Sequence, residues 1–512
     1  MRFRQGMGLK LAVALTVAGC GGPGGSRPVR IERGVAQLFI DDLLIAEDRG
    51  LVRVLHQPVK DAGGQAPLIE AAGGTTLLAY GSIVHDRRLG RYVMFVQEFP
   101  SRRMYRTTSA DGLNWDAAGT AGLEPVTFDT DLSGLPGAEK AKPPERRGMD
   151  LFSCCYDAGD RQWPYKGWLY LANWGDDLEG VFYVYSADGR EWKRGPQVVD
   201  GWGDAGDPSS RTIRQDGRTV HGAGDVTLFG VDPAGGRYLG IFKFLGHGHI
   251  GPDNGLRSRA YLWLDRLDAR VDLGRIRRVA LLPPVAYAGG DTPFDEYYAS
   301  TAWKYESMWL GGLKIYHSRG HYPHSAAGCA FLKLVAGRDG LHWRKVPFIN
   351  DAGVPEVFLA NGPEGGHGGR NDGGYISEFS QGPLRIGDEL VYYYSSSSFG
   401  KHAPPDIRIR GGGVFRARLR PDGFVSVQEG TLTTPPLRLE GDALTVNAVG
   451  PVSLEVVEAD GRALASTQFE GDSLCHAASF DGRSLGQVAG GQLIRLRFTV
   501  LRPGRLYSFT VR

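Results

Sequence analysis

The sequence predicts an all-β protein, and three observations carry that prediction. The 512 residues include 75 glycines and 29 prolines, and glycine at about twice its average share of ~7% is typical of many tight turns between short strands. A turn motif recurs along the chain at a common spacing. No long amphipathic helical pattern interrupts the strand-rich segments between residues 35 and 430.

The first 19 residues predict an export signal. Arg2, Arg4 and Lys10 precede the apolar run 11–18, which is too short to span a bilayer. Residues 17–20 resemble a bacterial lipobox, which implies that Cys20 is lipidated and anchors an exported protein in the cell envelope. The alternative is a plain signal peptide with a chance cysteine. Residues 20–34 open with a glycine-rich run and predict a flexible tether.

A turn of the pattern S-x-D-G-x-x-W is the clearest repeat. It occurs at Ser109–Trp115 and Ser186–Trp192, and with Gly337 in place of serine at 337–343. The copies lie 77 and 151 residues apart, so a degenerate copy is expected near Ser258–Asp268. We expect Asp-Gly to close a tight turn between outer strands and the tryptophan to pack beneath it.

A second repeat runs in step with the first and consists of two apolar strands joined by a turn. Its five copies begin near residues 82, 151, 227, 298 and 375. Five units of about 79 residues fill the span 35–430. Because four-stranded units must bury both faces against neighbours in a ring, the repeat predicts a five-bladed β-propeller.

The sequence pattern changes after residue 434. Short alternating strands at 443–446, 452–457 and 493–498 lack the aromatic pattern of the blades, with Asp-Gly turns at 460–461 and 481–482. Residues 435–512 therefore predict a small separate β-sandwich.

Charge and cysteine content narrow the function classes. A formal net charge of +2 favours no nucleic-acid partner. Apart from Cys20, the four cysteines 154, 155, 329 and 475 show no metal-binding spacing and no disulfide framework.

Acidic residues precede the first strand of four predicted blades. They are Asp150, Asp225, the pair Asp295 and Glu296, and Asp372, at spacings of 75, 70 and 77 residues. First strands of blades lie against the central axis, so these acids are expected to converge in one axial funnel. Asp before a strand is also an ordinary turn residue, and a carboxylate ring would suit calcium or another divalent ion.

Histidines and aromatic residues complete the candidate site. Loops around the inner strands carry His221, His247, His249, His317 and His321. They would bind sugar hydroxyls or a metal at the rim of the funnel, or are simply solvated loop residues. Trp174 and Tyr297 are candidates for stacking on sugar rings.

Several motifs together resemble the family-32-like glycoside hydrolases, which are related to family 43. They are residues 38–45 (LFIDDLLI), His56-Gln57-Pro58, the repeated turns and the closing 506–509 (LYSF). The resemblance, to an environmental bacterial subgroup, implies a propeller with a C-terminal β-sandwich. It also implies cleavage of glycosidic bonds in a poly- or oligosaccharide without an organic cofactor. The Asn-Asp-Pro-Asn, Arg-Asp-Pro and Glu-Cys motifs of the sucrose-cleaving members are absent.

Glycoside hydrolysis needs one protonated and one ionised carboxyl, and crowded acids supply that split. The first predicted blade has no acid at residues 80–82, so the resemblance passes the ionised role to Asp42, with Asp41 as its alternate. Asp150 becomes the orienting carboxylate and Asp225 or Glu296 the proton donor. The alternative is a carbohydrate-binding or scaffold lipoprotein that has lost catalysis. In both cases the partner is a carbohydrate, and contact with the membrane is through the lipid anchor only.

Overall fold

The computed structural model shows a protein built almost entirely of β-strands. It describes residues 27–79, 83–133, 135, 137–144, 147–172, 174–175, 178–201, 211–222, 225–246, 257–284, 287–288, 290–318, 328–377, 381–400 and 410–512. Within these ranges no helix is long and apolar enough to cross a membrane. Cys20 and the predicted export signal lie outside the described residues. The strands form curled sheets.

The N-terminal segment and the first two strand groups run to residue 200. The segment contains β1 (Val29–Ile31), β2 (Ala36–Leu38), β3 (Glu47–Leu55), β4 (Val59–Lys60) and β5 (Ile69–Glu70). Group 1 contains β6 (Thr76–Leu78), β7 (Ile83–Asp86), β8 (Arg91–Phe99), β9 (Met104–Ser109) and β10 (Glu124–Phe128). Group 2 contains β11 (Gly148–Tyr156), β12 (Tyr165–Ala172), β13 (Gly180–Ser186) and β14 (Glu191–Asp200).

Three further groups follow. Group 3 contains β15 (Thr212–Gln215), β16 (Arg218–Gly222), β17 (Leu228–Val231), β18 (Tyr238–Gly246) and β19 (Ser258–Leu264). Group 4 contains β20 (Asp295–Ser300), β21 (Trp303–Tyr305), β22 (Met308–Ser318), β23 (Gly328–Gly337), β24 (Arg344–Lys345) and β25 (Val357–Leu359). Group 5 contains β26 (Tyr375–Ile376), β27 (Leu384–Ile386), β28 (Glu389–Ser397) and β29 (Gly413–Leu419).

The C-terminal strands are β30 (Val425–Thr433), β31 (Leu437–Leu439), β32 (Leu444–Val449), β33 (Val452–Val457), β34 (Ala463–Phe469), β35 (Asp472–Ala477), β36 (Arg495–Val500) and β37 (Arg505–Val511). The helices are short: α1 (Gly366–Gly369), α2 (Leu485–Ala489) and single 3₁₀ turns at Asp61–Gly64, Thr120–Gly122, Ala138–Lys140 and Leu273–Arg275.

Each strand group contacts the next one along the chain. Parallel pairs join group 1 to group 2 (β10 with β14) and group 4 to group 5 (β23 with β26). Strand β11 contacts β17, and β19 contacts β20. Strands β28 and β29 of group 5 contact β6 of group 1, so the order of contacts returns to its start.

The repeated Asp-Gly turn has one geometry. In group 2, the Ser186 hydroxyl accepts the Gly189 N–H at 2.9 Å. Asp188 accepts the N–H groups of Arg190 and Glu191 at 2.8 and 3.1 Å. Gly189 has a φ of 71°, which favours glycine. Asp111 and Asp339 accept the equivalent pairs of N–H groups in their own turns.

These turns fasten neighbouring groups together. Trp192 packs its ring against Phe95 of group 1 at 5.8 Å, and the Arg106 guanidinium donates to the Asp188 carbonyl at 2.8 Å. The other copies contact a neighbouring group in the same way. Trp115 packs on Tyr393 of group 5, and Trp343 packs on Tyr261 of group 3. The Asp339 carbonyl accepts the Trp263 N–H of group 3. In the degenerate copy, the Leu267 carbonyl accepts the Trp168 N–H at 2.9 Å.

A related Asp-Gly turn, not recognised from the sequence, ends group 5. Here Asp422 itself has the positive φ, of 61°, and Phe424 stacks on Phe358 of group 4. The Asp422 carboxylate accepts the Tyr305 hydroxyl at 2.8 Å and the Ser508 hydroxyl at 2.5 Å. This turn therefore also joins the strand groups to the C-terminal sheet.

The turn geometry predicts that Gly340→Ala destabilises the protein by about 2–3 kcal/mol. The new Cβ would combine a φ of 76° with a position 2.9 Å from the Trp263 ring, so left-handed strain and overpacking add. Gly387→Ala is the matched control, because Gly387 has a φ of 56° and open space around it; we expect a cost of about 1 kcal/mol. Urea unfolding measures both, and equal costs would contradict docking through this turn.

The first three N-terminal strands pair with strands near the C-terminus. Strand β1 pairs with β31, β2 with β37 and β3 with β30. Ile31, Phe39 and Leu44 lie in the same buried cluster as the C-terminal strands. Strand β1 therefore lies inside the predicted tether (20–34), and part of the predicted propeller span (35–430) pairs with residues beyond it. The pairing satisfies backbone groups that β30 and β37 would otherwise expose.

A buried network of charges holds group 4 together. Lys333 and Lys345 each bind both Asp291 and Glu356, at distances between 2.5 and 2.9 Å. Burial alone would raise the pKa of Asp291. The two ammonium groups and the Tyr297 hydroxyl outweigh it and hold that pKa below its ordinary value.

This shift predicts a pH-dependent contribution to stability. A carboxylate with a depressed pKa stabilises the fold above its unfolded value of ~3.9 and loses that contribution as the pH falls through its folded value. The stability difference between the parent protein and Asp291→Asn should therefore be largest near neutral pH and shrink below about pH 4. Urea unfolding at neutral and acidic pH measures it. A constant difference would show that Asp291 is not ionised in the fold.

Candidate functional site

The first strands of four groups begin at one place in the molecule. Leu151, Val226, Tyr298 and Tyr375, which closely follow the predicted acids, belong to one buried cluster. The buried Arg259 guanidinium donates to the carbonyls of both Val226, at 2.8 Å, and Tyr298. The structure thus brings together the strand starts that carry Asp150, Asp225, Asp295 and Asp372.

The backbone is strained beside two of these acids. Leu151 and Val226 directly follow Asp150 and Asp225, and they have φ values of 56° and 57°. Left-handed backbone is costly for bulky and β-branched residues, and strain of this kind concentrates at functional sites. In groups 2 and 3, the acid is therefore followed by a residue with left-handed backbone, which orients the carboxylate in the same way in both groups.

Asp225 is partly exposed and paired with a buried cation. Its side chain is 32% exposed, whereas the side chain of its ion-pair partner Lys243 is 0% exposed. An ammonium group in an ion pair with a carboxylate favours the ionised form of that carboxylate. Asp225 therefore presents a negative charge to whatever enters the site.

Asp150 is partly exposed as well. The Arg102 guanidinium lies 3.2 Å from it and covers Gly148 so closely that a Cβ there would collide with it. The Tyr170 hydroxyl donates to Glu179 at 2.7 Å. Burial, aided by the carboxylates of Glu179 and Asp150, raises the pKa of Tyr170 far above its ordinary value. Asp150 and Glu179 thus flank a tyrosine that stays protonated.

Asp295 and Glu296 are buried. Asp295 accepts the Thr292 N–H at 2.7 Å, and its other oxygen lies 2.7 Å from His317 Nδ1. Glu296 forms an ion pair with Arg257. Burial alone would lower the pKa of Arg257, but Glu296 outweighs it and raises that pKa. Both acids serve to hold neighbouring elements.

Asp372 is also fully engaged. It binds Lys60 at 2.5 Å and accepts the Tyr394 hydroxyl at 2.9 Å and the Gly362 N–H at 3.2 Å. Its side chain is 1% exposed. The carboxylate therefore fastens the N-terminal segment to group 5 and faces no open space.

Three tyrosines line the same region. The rings of Tyr298, Tyr316 and Tyr375 lie 5.7 to 6.2 Å apart. The ammonium of Lys314 lies 3.7 Å from the centre of the Tyr375 ring and 5.0 Å from that of Tyr298, which are cation–π distances. Burial raises the pKa of Tyr316, so its hydroxyl stays protonated.

The structure does not bring Asp41 and Asp42 to this place. Both oxygens of Asp41 bind Arg338 at 2.7 Å, and Asp42 binds Arg53 at 2.5 Å. Asp295 lies at the opposite end of the β22–β23 hairpin from Arg338. At ~3.3 Å per residue the separation is about 30 Å, too far for one pair of catalytic carboxyls.

The other predicted ligand-binding residues divide. His317 lies beside Asp295, and His221 is half-buried with Nδ1 2.9 Å from the Thr212 hydroxyl. Trp174 and Tyr297 are buried, with polar atoms bonded to the Gly148 carbonyl and to Asp291, so neither presents a ring to a sugar. His247, His249 and His321 lie outside the described residues, as do residues 80–82.

No group of three acids, histidines or cysteines in the described part of the chain is arranged to hold a metal ion. The chemistry there is that of carboxylates, ammonium groups and tyrosines.

Sequence reasoning missed the cations of the site. Lys243 and Lys314 stand alone in apolar second strands, in the runs IFKFLG and GLKIYH. A single lysine inside a buried strand needs a partner, and that was the available signal.

Comparison with known proteins gives structural matches only. No family model matches the chain, and neither does any curated protein. A GH130 enzyme that targets β-1,2-mannosidic linkages in Candida mannan has 13% identity and a TM-score of 0.40, covering 72% of this chain and 95% of its own. An arabinanase from Bacillus subtilis has 10% identity and a TM-score of 0.34, with coverages of 68% and 96%.

A GH32 β-fructofuranosidase from Bombyx mori has 7% identity and a TM-score of 0.35, covering 89% of this chain and 93% of its own. The GH130, GH43 and GH32 matches are propeller-type glycoside hydrolases. Another match, an N-acetylgalactosamine deacetylase from F. plautii, has 14% identity and a TM-score of 0.38, covering 72% of this chain and 96% of its own.

Proposed function

We propose that this protein is a glycoside hydrolase whose site lies where the inner strands of groups 2 and 3 begin. The observation that carries the proposal is the pair of partly exposed carboxylates, Asp150 and Asp225, each followed by a left-handed residue. Their strands start in one cluster, so both acids face the same region.

The architecture in this proposal is a five-bladed propeller with a C-terminal β-sandwich. The returning order of contacts among the five strand groups supports it, because a ring removes the free sheet edges. Five Asp-Gly or related turns, each docked on the preceding group, also support it.

The environment of each acid suggests its role. Asp225, beside the buried Lys243, is the ionised carboxylate that acts as base or nucleophile. Asp150, beside Arg102, orients the sugar or the reacting carboxyl. The proton donor is then to be sought among Asp150, Glu179 and Glu296 by replacing each with its amide.

A screen of residues 27–512 against poly- and oligosaccharides tests the proposal. Reducing-end release and binding are read together, so that a substrate and a mere ligand are told apart. Release of reducing ends from at least one glycan, lost in Asp225→Asn, supports hydrolysis. Binding without release from any glycan would refute it.

A second candidate function, carbohydrate binding without catalysis, is favoured by one observation. Each of the five predicted axial acids lies within ion-pair distance of a basic side chain: Arg102, Lys243, His317, Arg257 or Lys60. Such pairs oppose the protonated form that a general acid needs. Under this alternative, Asp225→Asn weakens glycan binding and there is no turnover to lose.

The lipobox-like run predicts where the protein is found. Changing Cys20→Ser should move it from the membrane fraction to the soluble fraction of the envelope, because the lipid would have no thiol to join. Fractionation with antibody detection measures this, and unfolding midpoints should match since Cys20 lies outside every described strand. Unchanged partitioning would refute the lipid anchor.

A further inference from the structure

A cavity separate from the candidate site lies about 30 Å from Asp295, between residues 40–43 and the outer strands of group 4. Its volume is about 490 Å³, within the range of ~300–1,000 Å³ that small-molecule sites occupy. Its floor is apolar and buried, formed by Ile40, Met308, Ala336 and Val346. We call this cavity the outer pocket.

The rim of the outer pocket carries paired charges. Arg338 binds both oxygens of Asp41, and Arg53 binds Asp42 while its guanidinium stacks 4.4 Å above the Phe348 ring. These pairs fix the side chains without removing them from solvent: the Asp42 side chain remains 77% exposed.

The charges of the rim balance. Three carboxylates, of Asp41, Asp42 and Asp339, stand against three guanidinium groups, of Arg53, Arg338 and Arg344. His342 also lines the pocket, with its Nδ1 2.6 Å from the Asp339 carboxylate. Lys345 also lines the pocket, but its ammonium is held by Asp291 and Glu356. An anionic or cationic ligand would find no excess of opposite charge here.

The rim of the outer pocket places hydrogen-bond acceptors beside hydrogen-bond donors. It therefore suits a ligand group that can both accept and donate hydrogen bonds. A hydroxyl does both, carboxylates only accept and guanidinium groups only donate. The apolar floor suits the C–H face of a sugar ring. Leu43, which lines the pocket and is 45% exposed, adds apolar surface at the rim.

We propose that the outer pocket binds a neutral oligosaccharide. It is a second carbohydrate site, independent of the axial acids, and it would hold a glycan chain while another part occupies the axial site. The proposal shares its ligand class with the proposed function but does not require hydrolysis.

Hydrogen exchange of the full folded chain tests the proposal. The segment 337–348 lines the outer pocket and contains none of the axial acids, so its exchange rate reports on this pocket alone. The probes are neutral hexasaccharides of arabinose, mannose, xylose and glucose. We expect at least one to slow exchange in this segment at least threefold, both in the parent protein and in Asp225→Asn. The double variant Asp42→Ala/Leu43→Ala should lose that protection. Leu89→Ala, whose side chain is similarly exposed at 51% against 45% for Leu43, should keep it.

No protection of 337–348 by any hexasaccharide would overturn the proposal, and so would protection that the double variant retains. Octyl sulfate provides the contrasting probe, and protection by it at lower concentration than by any sugar would show a site for anionic amphiphiles instead. Absence of turnover with protection of 337–348 intact would refute only the proposed hydrolysis.

Discussion

Replacing Asp225 by asparagine is expected to lower turnover of any hydrolysed glycan by roughly 10²–10⁴-fold, the range for loss of a positioned acid–base group. The amide keeps the volume but cannot act as nucleophile or base. It also leaves the buried Lys243 without its carboxylate. Steady-state rates on the glycan found in the screen measure the effect.

A matched control lies at the other end of the same strand. Asp232 directly follows β17 and pairs with Arg237 at 3.2 Å, whereas Asp225 precedes the strand. Asp232→Asn should therefore keep turnover within about twofold of the parent rate, because it lies away from the axial end. Equal losses in the two variants, or full turnover in Asp225→Asn, would defeat the assignment.

Local patterns in the sequence predicted the structure well. The Asp-Gly turns at 111, 188 and 339 were recognisable because a glycine with positive φ and an aspartate accepting two N–H groups are local requirements. The related turn at Asp422 was missed because it has neither the serine two residues before the aspartate nor the tryptophan four residues after it. The common spacing of the motif copies was the signal that could have found it.

Long-range pairing was beyond the sequence. Asp41 binds Arg338, a residue 297 positions away, and nothing near Asp41 announces that partner. Likewise, β2 pairs with β37 and β3 with β30, and each pair joins residues that are far apart in the sequence. The strand starts that carry Asp150 and Asp225 could be placed together, because the repeat fixed their phase. The strand phase could not predict which of the acids would be buried.

Burial of charge in group 4 leads to the largest expected change in stability. Replacing Lys333 by methionine should destabilise the protein by about 3–5 kcal/mol, as removal of one partner from a buried pair does. The Lys333 side chain is 0% exposed, and the side chains of Asp291 and Glu356 are 1% and 9% exposed. Methionine fills most of the volume but leaves two buried carboxylates to the single ammonium of Lys345. Urea unfolding at neutral pH measures the loss.

The effect should depend on burial and not on the ion pair as such. Arg266 and Asp268 lie 2.6 Å apart, but the Arg266 side chain is 70% exposed. Arg266→Met should therefore cost no more than about 1 kcal/mol, since solvent screens an exposed pair. At low pH, where Asp291 becomes protonated, the cost of Lys333→Met should shrink, because fewer buried negative charges are then left without the lysine. A cost below about 1 kcal/mol at neutral pH, or one that does not change with acid, would mean that the carboxylates find other partners and that the lysine does not hold group 4 together.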